Sequence, residues 1–207
     1  MTPASTAVLL MATMVQGATP QPVWSDASLW RDFSGVKLRG AGGAFAEVAA
    51  VKALWNEQWL FVAFDCADKV LVSPGTKDGL DHFKLGDVAE VFVARAGAPF
   101  YLEAHATPAG KKTVYCFDGY RKSASPPAAS RDIVVKSAET ERGWRALVSL
   151  PWAALGGDPE RGPWEILAGR YDYDTTEGKP VLSSFPAQTL PADFHDRARF
   201  ARLELRR

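Results

Sequence analysis

Two carboxylates stand where the surrounding pattern leaves little room for charge. Glu90 lies within Asp87–Val93 (DVAEVFV) and Glu103 within Phe100–Ala106 (FYLEAHA). Both runs alternate as half-buried strands do, so residues two apart share a face. Glu90 therefore shares a face with Val88 and Phe92, and Glu103 with Tyr101 and His105. A carboxylate buried there without a partner costs several kcal/mol, so each must meet water, an ion-pair partner or a ligand. Ala94–Pro99, which contains Gly97 and Pro99, joins the runs, so antiparallel pairing would bring the two acids close. Two chemistries fit such a pair. One is glycoside hydrolysis, which needs carboxyl groups roughly 5–9 Å apart. The other, which asks less of the residues, is recognition of hydroxyl groups by charged acceptors. Solvated outer-face residues or an internal ion pair is the purely structural alternative.

Other chemistries have weaker support. His82, His105 and His195 are too widely spaced to define a metal site, and each is expected to be a hydrogen-bonded structural residue. There is no CxxC pair, no HExxH run and no GxSxG elbow. The glycines at 40, 42 and 43 lack the strand-then-helix context of a phosphate-binding loop. Cys66 and Cys116 each end an apolar run and are compatible with one disulfide or with two free buried thiols. Lys and Arg number 24, as do Asp and Glu, so no basic field marks the chain for nucleic acid. No apolar run approaches the ~18 residues of a membrane span.

The elements that must position these residues are short strands. Glu47–Trp55 and Trp59–Asp65 form a hairpin through Asn56–Gln58, and the second run is apolar on both faces, as in the middle of a sandwich. Lys111–Phe117, Asp132–Ser137, Gly143–Leu150, Trp164–Tyr173 and Phe200–Leu205 read as further strands. On Trp164–Tyr173, Arg170 and Asp172 share the face of Trp164 and Ile166. Val70–Leu85 and Asp174–Pro191 read as long loops, the second containing Phe185. Single helical turns are expected near Ser25–Trp30, with Trp24 and Trp30 as core anchors, and at Pro151–Leu155. With about nine to eleven strands, turn signals every ~8–12 residues and one or two single-turn helices, the expected fold is an all-β, antiparallel, jelly-roll-like β-sandwich. Ala7–Val15 (AVLLMATMV), followed by Gly17 and Ala18, has the form of an export signal without a preceding Lys or Arg. Residues 1–18 are thus expected to be a signal peptide or disordered leader, 19–207 a single domain, and the protein secreted or periplasmic.

The ordered set VKALWNEQWLFVAF (Val51–Phe64), DVAEVFV, the Tyr101-x-Glu103 run with Pro108 and Gly110, GWRALVSLPW (Gly143–Trp152), Trp164 leading to Arg170, and FHDRARFARLEL (Phe194–Leu205) resembles the family 9 carbohydrate-binding modules and the wider DOMON-like β-sandwiches. The resemblance runs from about Trp24 to the C-terminus. It implies an extracytoplasmic, non-catalytic, saccharide-binding domain, with structural calcium in some members and a separate glycoside hydrolase as partner. Where the family's best-understood members sandwich a sugar between two tryptophans, this sequence offers Phe83 and Phe185. Glu90 matches the family's DxxE glutamate, with Glu103 and Arg170 as further hydroxyl partners. Asp65, Asp68, Asp87 and Asp172 are the acids from which calcium ligands would come. Some DOMON-like domains hold haem, which here would need histidine or lysine ligands, because every methionine lies at or before Met14. A sandwich that has lost its ligand and serves as a scaffold is a third reading.

Overall fold

The structure is a computed structural model that describes residues 8–17, 19–31, 33–44 and 46–207. The strands are β1 (Leu9–Met14), β2 (Val36–Lys37), β3 (Arg39–Gly40), β4 (Ala49–Trp55), β5 (Trp59–Ala67), β6 (Val88–Arg95), β7 (Phe100–Ala106), β8 (Lys112–Asp118), β9 (Val134–Thr140), β10 (Gly143–Pro151), β11 (Trp164–Asp172), β12 (Val181–Phe185) and β13 (Ala201–Arg206). Two single-turn helices, α1 (Pro20–Ser25) and α2 (Ala27–Trp30), precede β2, and the Asp26 carboxylate caps α2 by accepting from the Ser28 N–H. Ten strands form one hydrogen-bonded path, β8-β7-β6-β11-β13-β1-β4-β5-β10-β9, with β12 paired to β11.

The path folds over on itself because alternate residues at both ends are apolar. Val91 and Val93 of β6, Leu102 of β7 and Ile166 of β11 lie in one buried cluster with Val51 of β4, Phe64 of β5 and Trp144 and Val148 of β10. That cluster is the filling of the sandwich. β5 is apolar on both faces for the reason its sequence suggested: Leu60, Val62 and Phe64 face the filling, whereas Phe61 and Ala63 face α1 and α2. Trp24 and Trp30 pack on that outer cluster, with the Arg145 guanidinium over both rings. The β4–β5 turn is closed by Asn56, whose Oδ1 accepts from the Gln58 and Trp59 N–H groups at 2.9 and 2.8 Å.

One expectation about the elements needs correcting. The loop expected over 174–191 contains β12, which binds β11 antiparallel through five register pairs. Cys66 and Cys116 are free thiols. Both face the filling, but they leave from different layers, β5 and the edge strand β8, and burial pushes the Cys66 thiol up to about 12. The apolar run expected to lead an exported chain contains β1, which lies parallel to both β13 and β4 and buries Leu10 and Ala12.

Arg170 sits in the mouth of the sandwich, and its side chain is fully buried. Its Nη1 donates to the Ala67 carbonyl at 2.7 Å, and its Nη2 to Asp68 at 2.9 Å and Asp172 at 2.8 Å. The guanidinium thus ties the end of β11 to the end of β5, across the two layers. Asp87 stands in the same cluster and accepts from the Val72 and Tyr173 N–H groups at 2.6 and 2.8 Å. Asp68, Asp87 and Asp172 are the acids grouped closely enough to hold calcium, and they do not fit it. A guanidinium and three backbone amides, of Val70, Val72 and Tyr173, already donate to them, and a second cation would meet the charge of Arg170. Burial raises the carboxyl of Asp87 to about 7, against those two amide hydrogen bonds, and that of Asp172 to about 6, against Arg170.

Three outcomes are expected. A chain starting at Thr19 should melt well below the full chain or fail to fold, because β13 and β4 would lose their common neighbour; equal melting temperatures would contradict this role for β1. Arg170→Met should cost about 3–5 kcal/mol in denaturant unfolding, since it strands buried carboxylates, while chelator leaves wild-type melting unchanged. Stability should fall as pH rises between about 4 and 7, because folded Asp87 and Asp172 hold protons that the unfolded chain has released. Melting curves across that range would expose the opposite slope.

Candidate functional site

The face of β6, β7, β8 and β11 that points away from the filling carries the polar residues. Antiparallel register sets Glu90 opposite His105, Phe92 opposite Glu103, and Glu103 opposite Tyr115. On the β11 side Glu90 faces Gly169. A Cβ there would lie 2.7 Å from the Phe194 ring, so glycine is what lets that ring settle against the sheet. Phe83 reaches the same face from a short 3-10 turn, His82–Lys84, held by the Tyr173 O–H donating to the Phe83 carbonyl at 2.7 Å. The Phe83 ring meets His105 and Tyr171 edge-on, at centroid separations of 6.0 and 5.8 Å.

These residues surround a cavity of about 330 Å³ whose walls include Phe83, Phe92, Tyr115, Tyr171 and Phe194, with Glu90, Glu103 and His195 among its polar groups. Its floor is a buried ionic cluster. His105 Nε2 lies 2.5 Å from Glu103 Oε1 and 3.1 Å from Glu90 Oε1, and all three side chains are almost wholly buried. Burial pushes the Glu90 carboxyl up to about 8, with the Glu103 charge adding to the rise and His105 opposing it. His105 suffers the same burial, yet Glu90 and Glu103 together hold its imidazolium above the ordinary histidine range. The imidazole is therefore the internal cation of this face.

His195 is placed by two contacts. Its Nδ1 lies 2.9 Å from the Tyr101 hydroxyl, and that oxygen accepts from the Arg121 N–H at 3.3 Å. The Tyr101 O–H can donate to Nδ1, the arrangement in which a neutral His195 carries its proton on Nε2. Burial holds His195 below its usual range. At the rim, Asp81 accepts from the Tyr115 hydroxyl at 2.5 Å and from the Lys84 ammonium at 2.7 Å.

Of the residues the sequence singled out for ligand contact, Phe83, Glu90 and Glu103 meet in this cavity. Arg170 does not stand beside Glu90. It follows Gly169 on the strand and so leaves through the opposite face, into the Asp68–Asp87–Asp172 cluster. Phe185 ends β12 opposite Ala168, and its ring packs against the filling. The aromatic groups that do line the site from the late part of the chain are Tyr171 and Phe194. His105, expected to be structural, is the hinge of the ionic floor. Alternation along β11 could have placed Tyr171 opposite Arg170. Phe194 opens the FHDRARFARLEL run, which is the signal that could have favoured it over Phe185, although alternation does not extend to either stretch.

No family model matches the sequence, and no curated protein matches it. Solved structures match along nearly the whole chain. A candidate carbohydrate-binding protein from Bacteroides uniformis superposes with a TM-score of 0.79 at 14% identity, covering 97% of this chain and 100% of that one. A family 9 carbohydrate-binding module from Caldicellulosiruptor kristjanssonii in complex with glucose gives 0.68 at 14% identity, covering 96% and 95%. The cellotriose complex of a family 9 module from that organism gives 0.67 at 15% identity, covering 96% and 93%. The fold of this chain is that of a family 9 carbohydrate-binding module.

Proposed function

We propose that the domain binds a saccharide in the cavity over Glu90, Glu103 and His105, and that it does so without cleaving it. The observation that carries this reading is the coincidence of aromatic walls with buried carboxylates in one small cavity on one sheet face. Aromatic rings offer apolar faces to sugar C–H groups, and carboxylates accept from hydroxyls. The fold supports it, since family 9 modules of this fold are solved with glucose and cellotriose.

The same floor argues against hydrolysis. Glu90, Glu103 and His105 each bring a ligand atom within 4.8 Å of the others, so the two acids sit side by side beneath a ligand. Glycosidase carboxyls flank the scissile bond from two sides, about 5–9 Å apart. The proposed setting is extracytoplasmic, beside a separate glycoside hydrolase acting on the same saccharide, and its support is the sequence resemblance. Fractionation of producing cells tests the location.

Binding is tested by calorimetric titration of the full chain with glucose and cello-oligosaccharides, where saturable binding is expected. Phe83→Ala should weaken it by about three- to tenfold, the worth of one ring contact. Phe185→Ala should leave affinity unchanged, because that ring lies away from the cavity. Flat titrations with every saccharide, using folded protein, would overturn the reading.

A further inference from the structure

The carboxylates of the floor are short of hydrogen. His105 Nε2 carries one proton, and both Glu90 and Glu103 approach it. Glu103 Oε1 takes the closer contact. Its other oxygen, Oε2, is buried and has no hydrogen-bond partner. His195 Nε2 lies 3.9 Å from it, beyond hydrogen-bond distance, and burial holds that histidine below its usual range. Glu103 is 5% exposed and lines the cavity, so its unpartnered acceptor belongs to the cavity wall. A buried acceptor left unpaired is costly, and a charged donor repays that cost more fully than a neutral one.

Charge around the cavity points the same way. Among the described residues its lining carries Asp81, which is paired with Lys84, Glu90, whose carboxyl is raised to about 8, and Glu103. The one cationic side chain there, Arg121, is more than half exposed and bonded to Asp193 at 3.0 Å, which leaves Glu103 as the acid open to a ligand. The aromatic walls present the negative faces of their rings, which attract cations. The rim already shows the combination in use. The Lys84 ammonium sits 2.7 Å from Asp81 and 5.2 Å from the centre of the Phe83 ring.

We infer that the saccharide this cavity takes is an amino sugar, its protonated amine donating to the unpartnered oxygen of Glu103 within the ring of aromatic walls. The inference rests on the saccharide reading above and narrows it to one class. An ammonium brings three donors and a charge to a floor where burial holds Glu90 protonated up to about pH 8 and the Glu103 carboxylate keeps an unpartnered oxygen. A hydroxyl in its place would give Glu103 Oε2 only a neutral, weaker hydrogen bond. An N-acetyl group in its place would remove the charge and add bulk to a cavity at the small end of the range for ligand sites.

The test is a calorimetric comparison of three ligand series on the full chain: glucosamine with chitosan oligosaccharides, glucose with cello-oligosaccharides, and N-acetylglucosamine with chitin oligosaccharides. It is run at mildly acidic pH, where a sugar amine is protonated. The amine series should bind about tenfold tighter than the glucose series, the ratio expected for one charged hydrogen bond. Glu103→Gln should bring that ratio close to one. Glucose or N-acetylglucosamine binding as tightly as glucosamine would overturn the inference and leave saccharide binding in place. Silence towards all three series would overturn both. If the Gln variant does not fold, the wild-type comparison alone decides.

Discussion

Successive side chains of a strand leave through opposite faces, and the site depends on that constraint before any other. Ala89, Val91 and Val93 on β6, and Leu102, Ala104 and Ala106 on β7, are committed to the space between the layers. Their commitment sends Glu90, Phe92, Tyr101, Glu103 and His105 to the other side together. A slip of one residue in the β6–β7 register would put two carboxylates and an imidazole into the filling and methyl groups in their place. The apolar packing therefore fixes the polar chemistry. Desolvating the filling holds the register, and the register brings His105 within reach of both acids.

β11 shows the same parity serving two ionic clusters at once. Gly169 and Arg170 are neighbours in the chain, yet one makes room over the outer floor and the other enters the mouth of the sandwich. The two clusters differ in the kind of cation they hold. Arg170 keeps its charge at any pH a protein meets, which suits a clamp that ties β5 to β11. His105 holds a proton it can exchange, and so does the raised carboxyl of Glu90 beside it. The permanent cation lies where structure is secured, and the exchangeable one lies where a ligand would come.

The sequence made the sheets legible because alternation is a local signal. Both halves of the β4–β5 hairpin, the double-sided β5 and the shared face of Glu103 and His105 all follow from the period of two. Arg170 was placed correctly with Trp164 and Ile166. What remained hidden was that this shared face is the filling, a question that long-range packing decides. Phe185 and Phe194 differ for the same reason. One pairs into the sheet at β12 and the other lies over Gly169, and neither arrangement has a local signature. Sequence left the two cysteines open between a disulfide and free thiols, because spacing does not report how far apart two strands set their side chains; both are free. β1 was obscured by its composition, because a short apolar stretch satisfies an export segment and a buried strand equally well.

The position of β1 also bears on how the domain comes into being. Its register partners on one side are Arg202–Arg206, close to the end of the chain, with Leu10 beside Leu203. A strand made early must therefore wait for one made much later before its backbone is fully paired. Until then its apolar residues, the equivalent edge of β4 and the open side of the filling all face solvent. Contacts of such long sequence separation fold slowly and expose strand edges meanwhile. A fold closed by strands so distant in sequence gains a continuous sheet, and until they meet it is most vulnerable to aggregation.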